Sequence, residues 1–344
     1  MFTDSLVDRA KVKIVMQKKD SLLKPYKLSF KKIDFLKSLF CIIRAFKKTF
    51  TVEPGLYFLG EEYDKSTPLL VTCNYHLTVY LLWSYLKSIP LRILVIDTDG
   101  INVWCSSAEG KFCAEEIINQ LLKYEKNILT DKEKIEMVLP KLSLSGVSIK
   151  KLKANNIIPL IGPIYASKIP SYLSKRPLED CTEDKFEFSF KDRLFTMPAS
   201  MIQFTKYMVF AAILLFIWDY FTNTKIYWQT IPIGLIFSFL YIVLFPFLPT
   251  KTFSVKGLFL FGAISFVYFL HTFVFMGSKI NIYEILFYFF FTAGTSVFFS
   301  LYYTGNSGVS NYSLVKKEIK NFLPLSFIFY LISSIIVIIK GLQL

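Results

Sequence analysis

IDTDGINVWCSSAEGK, residues 96–111, follows the apolar run LRILVID (Leu91–Asp97) and sets Cys105 at the mouth of a helix directly after a strand. The run reads as an interior strand, and Asp99-Gly100 is a turn signal. Ser106 and Glu109 have the spacing of a capping box, ahead of Phe112, Ile117, Ile118, Leu121 and Leu122 at helical spacing. A thiol there faces unpaired N–H groups and the positive end of the helix dipole, which favours thiolate, the form that ligates metals. A lone cysteine is more often an inert packing residue, so the words around Cys105 carry the weight.

Outward from this stretch, strands alternate with helices between residues 55 and 200. Pro68–Cys73 is a strand candidate, His76–Ile89 a helix, Leu91–Asp97 a strand and Ser107–Tyr124 a helix. Lys134–Pro140, a short helix near Ile149–Ala154, Asn156–Gly162 and a helix near Ile169–Ser174 continue the series. Such alternation predicts an α/β domain, an open and mainly parallel sheet with helices on both faces. Ligands of such sheets bind beyond the carboxyl ends of the strands. Cys105, Asn74, Asp97, Pro140 and Gly162-Pro163 all follow strand candidates, so all are candidates for one pocket. Asn74 equally suits a helix cap, Gly162-Pro163 a turn and Trp104 core packing.

Asn102-Val103-Trp104-Cys105 at the head of a helix resembles the cap-helix signature of the mercury-methylation corrinoid protein family (HgcA), itself related to the large subunit of the corrinoid iron-sulfur protein. Further blocks are similar to that family in the same order: Val52–Gly60, Leu69–Thr78, Ile93–Cys105, Met137–Val147, Leu160–Leu173 and Phe190–Met201, with Tyr303–Glu318 between the last two membrane helices. The resemblance implies a corrinoid-binding domain in which Cys105 is the lower axial ligand to the cobalt of a base-off cobalamin. It places Asn102, Val103, Trp104 and Ser106 around that ligand and favours Asn74, Asp97, Gly162 and Pro163 as cofactor-binding residues. Asn102 and Trp104 suit the task mechanically, because a sulfur held at a fixed distance below a flat macrocycle needs a locked turn and a large apolar wall. One departure stands out. The family usually follows the cysteine with small residues and a glycine-lysine-glycine run, whereas this chain has Ser106, Ser107, Ala108, Glu109, Gly110 and Lys111, an acid where the family has a base.

Across 344 residues, 53% are hydrophobic and 17% aromatic, too apolar for a purely soluble protein. Residues 1–50 form a basic amphipathic arm with 13 Lys+Arg against 4 Asp+Glu. It lacks the apolar core of a signal peptide. Within it, Ile33–Phe50 puts Phe35, Leu36, Leu39, Phe40, Ile43 and Phe46 to one side and Lys37, Arg44, Lys47 and Lys48 toward the other. Either an interfacial helix or a helix docked on the soluble domain accounts for that pattern. Residues 51–200, the cytoplasmic cofactor domain, hold 18 basic and 19 acidic residues, which offers no basic field for nucleic acid. Their tail, Pro177–Met201, alternates as a final strand pair would.

Residues 201–344 read as five transmembrane helices, near Phe204–Phe221, Ile226–Leu248, Gly257–Met276, Ile282–Tyr303 and Phe322–Ile339. With the soluble domain in the cytoplasm, the inner loops carry Lys251, Lys256, Lys316, Lys317 and Lys320 against Lys225, Lys279 and Lys340 outside. The protein is therefore expected to be multi-pass in the inner membrane with its carboxyl terminus outside. His271 and Glu284 fall near segment ends and read as interfacial. Cys41, Cys73, Cys105, Cys113 and Cys181 include no C-x-x-C pair, so neither a zinc site nor an iron-sulfur cluster is expected in this chain. P-loop, dinucleotide and nucleophile-elbow motifs are absent from the sequence.

The resemblance thus implies a membrane-anchored, corrinoid-dependent methyltransferase. Its expected partners are a folate-type methyl donor, an acceptor such as Hg(II), membrane lipid, and a ferredoxin-like reductant with two [4Fe-4S] clusters. Two other readings stay open: a corrinoid binder that has lost methyl transfer or uses a different acceptor, and a transporter with a regulatory domain.

Overall fold

Strands β3 (Leu69–Cys73) and β4 (Leu91–Ile96) are buried at every position. Continuous apolar runs of this kind need cover on both faces, which is the situation inside a parallel sheet. The computed structural model describes residues 23–43, 50–125, 134–175, 178–222, 229–275, 281–307, 309–310 and 312–342. Two compact units divide the chain, one of residues 1–41 and 47–185, the other of 42–46 and 186–344.

In the first unit β3 and β4 pair in parallel, from Leu69 opposite Arg92 to Cys73 opposite Ile96. β5 (Ile135–Leu139) runs parallel to β3, and β6 (Ile157–Ile161) parallel to β5. β2 (Gly55–Leu59) is antiparallel to β4, and the two-residue β1 (Tyr26–Lys27) lies parallel to β2 at the edge. The six-stranded sheet is therefore mixed, in the order β1-β2-β4-β3-β5-β6. The arm contributes β1 and α1 (Lys32–Ile43); Arg44, Phe46, Lys47 and Lys48 lie outside the described residues.

The crossover from β3 through α2 (His76–Leu86) to β4 runs one way along the sheet, and that from β4 to β5 runs back past β3. Right-handed crossovers in opposite directions put their helices on opposite faces. Accordingly Val79, Leu82 and Leu86 of α2 share a core with Ile93, Val95 and Leu70. Each such side chain, fully buried, contributes about 1.5–3 kcal/mol of transfer free energy. Arg92 is the exception in β4; its guanidinium bonds Thr67 O at 3.0 and 3.2 Å and Glu125 at 3.2 Å.

Two local expectations are corrected. The helix expected over Ser107–Tyr124 is two helices, α3 (Val103–Ala108) and α4 (Ala114–Leu122). Gly110, at φ +75°, ends the first. The strand pair expected over Pro177–Met201 gives way to the start of a helix at Phe190. Asp192 Oδ2 accepts from Ser189 N and Ser189 Oγ, both at 2.8 Å, so a local cap outweighs the brief alternation of phenylalanines. Between Ile149–Ala154 (α5) and that helix lie β6 and the short α6 (Ile169–Leu173).

The second unit is helical: α7 (Phe190–Thr222), α8 (Thr230–Leu244), α9 (Phe253–Phe275), α10 (Ile282–Asn306) and α11 (Tyr312–Leu342). Among the described residues four helices, α7, α9, α10 and α11, are long and apolar enough to cross a membrane, and α8, in the fifth expected span, is shorter. α8 has 15 residues, about 22 Å of helix against a hydrocarbon core of about 30 Å. Part of the span expected there, 226–228, lies outside the described residues, as do Lys225, Met276 and Lys279.

α10 is the most enclosed of the four spans, because its small residues let neighbours approach. A Cβ on Gly294 would stand 3.1 Å from the Tyr330 ring, and one on Gly257 would stand 2.8 Å from Ser296 O. Lys256, expected in a loop, sits in the first turn of α9, where its ammonium bonds Phe245 O at 2.8 Å and Leu248 O at 2.6 Å beyond the end of α8. The buried Glu318 accepts from Phe253 N, Ser254 N and Ser254 Oγ at 2.8, 3.1 and 2.6 Å, capping α9. Glu284, in the first turn of α10, receives a 2.7 Å bond from Lys340; the His271 side chain lies outside what is described.

Candidate functional site

Because β3, β4, β5 and β6 are parallel, their carboxyl ends lie along one edge of the sheet, and Asn74, Asp97, Pro140 and Gly162 each follow one of them. The chain leaves β3 toward β4 but leaves β5 toward β6, so the strand order reverses between β3 and β5. Such a switch point leaves a crevice at the strand ends. α3 touches both β3 and the turn Lys141–Ser143 that follows β5, which places it at that crevice.

The link from β4 to α3 is built on one carboxamide. Asn74 is buried; its Oδ1 accepts from Thr98 N at 3.1 Å and Gly100 N at 2.9 Å and lies 2.9 Å from Thr98 Oγ1. Its Nδ2 donates to Asp97 Oδ1 at 3.0 Å, and Asp97 Oδ1 also accepts from Asp99 N at 2.9 Å. Asp99 and Gly100 both have positive φ, 57° and 68°, and Ile101 N returns to Thr98 O at 3.1 Å, which closes a type I′ turn. Thr98 Oγ1 donates to Ile101 O at 2.7 Å. The Asn74 carboxamide thus ties the end of β3 to the loop that leads into α3.

Asn102 then caps α3, its Oδ1 accepting from Cys105 N at 2.9 Å. Such a cap stabilises a helix by about 1 kcal/mol, a large share of what a six-residue helix can muster. Ser106 Oγ donates to Asn102 O at 2.6 Å and Ser107 Oγ to Val103 O at 2.8 Å. The expected Ser106–Glu109 capping box does not form, since Ser106 already lies inside the helix. Val103 is buried beneath it, and Trp104 and Cys105 are half-buried on the side left open. Gly162 and Pro163 are buried at the end of β6, where Gly162 N donates to Leu139 O at 2.9 Å and a Cβ would meet Val138 Cγ1 at 2.7 Å. Their placement is a strand-packing one.

The thiol is not the activated one the helix dipole suggests. Burial pushes the Cys105 pKa up, the Asn102 side chain opposes that, and the Glu109 carboxylate adds to it. A raised thiol pKa means less thiolate at a given pH than free cysteine has. In metal-free protein, iodoacetamide alkylation of the Cys105 peptide should keep accelerating with pH past 9, and Glu109→Gln should accelerate it at pH 8. A rate that levels off below pH 8 would show an activated thiolate instead. Ligation of a metal must therefore drive the proton off, as coordination does.

Among the described residues no three His, Cys, Asp or Glu side chains gather as a metal cage. A metal that arrives inside its own macrocycle needs only one axial donor from the protein, and a half-exposed sulfur on a rigid helix has that chemistry. The donor set fits a corrinoid and does not fit a bare ion.

Compared with known proteins, residues 12–156 match the model of the CO dehydrogenase/acetyl-CoA synthase delta subunit family, CdhD. Those residues are a CdhD-like domain. They are homologous to the large subunit of the corrinoid/iron-sulfur protein of Moorella thermoacetica, 30% identical over 114 residues, which is 32% of this chain and 24% of that protein. The acetyl-CoA decarbonylase/synthase complex subunit gamma 1 of Methanosarcina thermophila is 31% identical over 129 residues, 36% of this chain and 27% of the relative. The gamma subunit of that complex from Methanopyrus kandleri is 31% identical over 140 residues, 40% and 29% of the two chains. The chain thus spans about a quarter of the length of these curated relatives. The CdhD-like domain contains Asn74, Asp97, Asn102 and Cys105; Gly162, Pro163 and the helical unit lie beyond the match. Thr98 and Gly146 were not legible as site residues. Thr98 bonds Asn74, 24 residues away, as well as Ile101, and a Cβ on Gly146 would stand 2.6 Å from Ser107 O in α3.

Proposed function

We propose that the chain is a membrane-anchored corrinoid-dependent methyltransferase, in which Cys105 would hold the cobalt of a bound corrinoid through its sulfur. The observation that carries this reading is the half-exposed thiol of an Asn102-capped helix at the strand-end crevice of a domain homologous to corrinoid proteins. A bound corrinoid would supply a cobalt that accepts and releases a methyl group. The chain's own residues do the rest. Asn74 and Asn102 fix the height and direction of α3, Cys105 gives up its proton and donates the sulfur, and Trp104 beside it offers an apolar wall that keeps water from the metal. Val103 and Ser106 hold the helix from within. Gly162 and Pro163 close the far side of the crevice by packing.

The methyl donor is of folate type and the acceptor a soft metal such as Hg(II), in keeping with the resemblance of Asn102-Val103-Trp104-Cys105 to the mercury-methylation proteins. Electrons come from a separate two-cluster ferredoxin-like partner. The protein is multi-pass in the inner membrane, with the first unit in the cytoplasm. An external carboxyl terminus requires that α8 and its flanks, over 226–248, complete a fifth crossing. A corrinoid carrier without methyl transfer is the second reading. Glu109, an acid where the resembled family has a base, is the observation that favours it.

The test is reconstitution of the purified full chain with hydroxocobalamin. About one cobalt per chain should survive gel filtration, with an absorption spectrum of sulfur-ligated cobalt. Protein that emerges free of cobalt would sink both corrinoid readings.

A further inference from the structure

Helix α1 is docked the wrong way round for a helix of a water-soluble domain. Its small and polar side faces inward: Ser38 and Cys41 are buried, Ser38 Oγ lies 3.4 Å from His76 Nδ1, and Asp34 Oδ1 lies 3.5 Å from His76 Nε2. Its large apolar side chains face outward. Ile33, Phe35, Leu36, Leu39, Phe40 and Ile43 are each between 41% and 57% exposed. At 100° per residue they fall on one arc of about 160°, opposite Asp34, Ser38 and Cys41. Phe40 also meets the Phe50 ring at 6.1 Å, so the inference rests on the other five.

The charges around this face have one sign. Over the described residues 23–43 there are five lysines, Lys24, Lys27, Lys31, Lys32 and Lys37, against one acid, Asp34. That acid is already engaged by Lys37 at 2.8 Å and by Lys31 N at 2.8 Å. An apolar arc with Lys31 and Lys37 near its two margins and the exposed Lys32 at its first turn matches a surface that is apolar below and anionic above. Such a surface is always within reach, because four helices of the same chain are long and apolar enough to cross a membrane.

We propose that α1 lies in the headgroup region of a bilayer containing anionic lipid, with Phe35, Leu36 and Leu39 among the acyl chains and the lysines at the phosphates. Insertion of α1 holds the first unit at the membrane surface through its Asp34–Ser38–Cys41 side. The proposal depends on the membrane reading of the helical unit and not on the corrinoid reading.

The full-length protein is placed in nanodiscs of phosphatidylcholine with phosphatidylglycerol, carrying a phospholipid with a diazirine on its acyl chain. After photolysis, adducts are mapped by mass spectrometry. Adducts are expected on Leu36, at a yield comparable with that on the exposed Phe210 and Leu214 of α7. The Leu36 yield should fall on the order of tenfold in Phe35→Gln/Leu39→Gln, which removes the apolar side chains from lipid. It should fall severalfold in Lys31→Glu/Lys32→Glu or in pure phosphatidylcholine, while the α7 yield holds. Labelled α7 with unlabelled α1 would overturn the proposal and assign the face to water or to a protein partner. No labelling of either helix would overturn it together with the membrane reading.

Discussion

Cys105→Ala is expected to leave the protein folded and to eliminate sulfur ligation of cobalt. The substitution removes one half-buried side chain, and the helix around it keeps the bonds of Asn102, Ser106 and Ser107 to its backbone. The stability cost should therefore be within about 1 kcal/mol. The functional cost should be far larger. Loss of a mere outer partner of a metal ligand lowers affinity roughly 10–100-fold, and loss of the ligand itself should cost at least that. The wild-type spectrum of the reconstituted protein is expected to revert to that of base-off or water-ligated cobalamin, and methyl transfer to fall below detection. Cys113→Ala is the matched control: this cysteine precedes α4 without a side-chain capping bond, and its loss should change neither readout. A sulfur-ligated spectrum that persists in Cys105→Ala would assign the ligand to another thiol and remove α3 from the mechanism.

The parts of the fold that could be read in the chain are those whose signal is local. β3, β4, β5 and β6 are apolar runs bounded by turn residues, and their alternation with helices implies the parallel part of the sheet. β1 has two residues and no period to detect, and the reversal of β2 against β4 depends on a pairing 40 residues apart, Gly55 with Val95. The place of Cys105 in the first turn of a helix after β4 was legible because the sequence around it is distinctive. Its support was not, because Asn74 reaches across 24 residues to Thr98 and nothing in Asn74's own neighbourhood announces that. The thiol's electrostatics went the other way from expectation for a similar reason: the dipole of a helix can be read locally, whereas burial, the largest cause of the shift, belongs to the folded domain. Apolarity alone also says nothing of length, since α8 has the composition of a crossing helix over 15 described residues.

Gly146→Ala should disable the same site from behind. Gly146 follows the turn after β5 and lies against the carboxyl end of α3; a Cβ there would stand 2.6 Å from Ser107 O, 2.7 Å from Phe112 O and 2.9 Å from Ser107 Cα. All three are backbone atoms, so no rotamer change relieves the overlap, and either α3 or the turn must move by several tenths of an ångström. Overpacking of this kind costs about 1–3 kcal/mol, which should appear as a lowered denaturation midpoint. The greater effect is on position. A displacement near 1 Å at a reacting centre costs on the order of 10²-fold in rate, and Cys105 shares the six-residue helix that is being pushed. Methyl transfer should thus fall about that far while cobalt is still bound, with a weakened sulfur band, because the ligand is present but displaced. Gly110→Ala separates strain from displacement. Its φ of +75° makes alanine unfavourable by about 1 kcal/mol, yet a Cβ there meets nothing within 4 Å, so α3 keeps its place. Equal stability losses with activity lost only in the Gly146 variant would show that the turn after β5 sets the height of the sulfur. Native spectra and rates in both would mean that α3 is positioned from the Asn74 side alone.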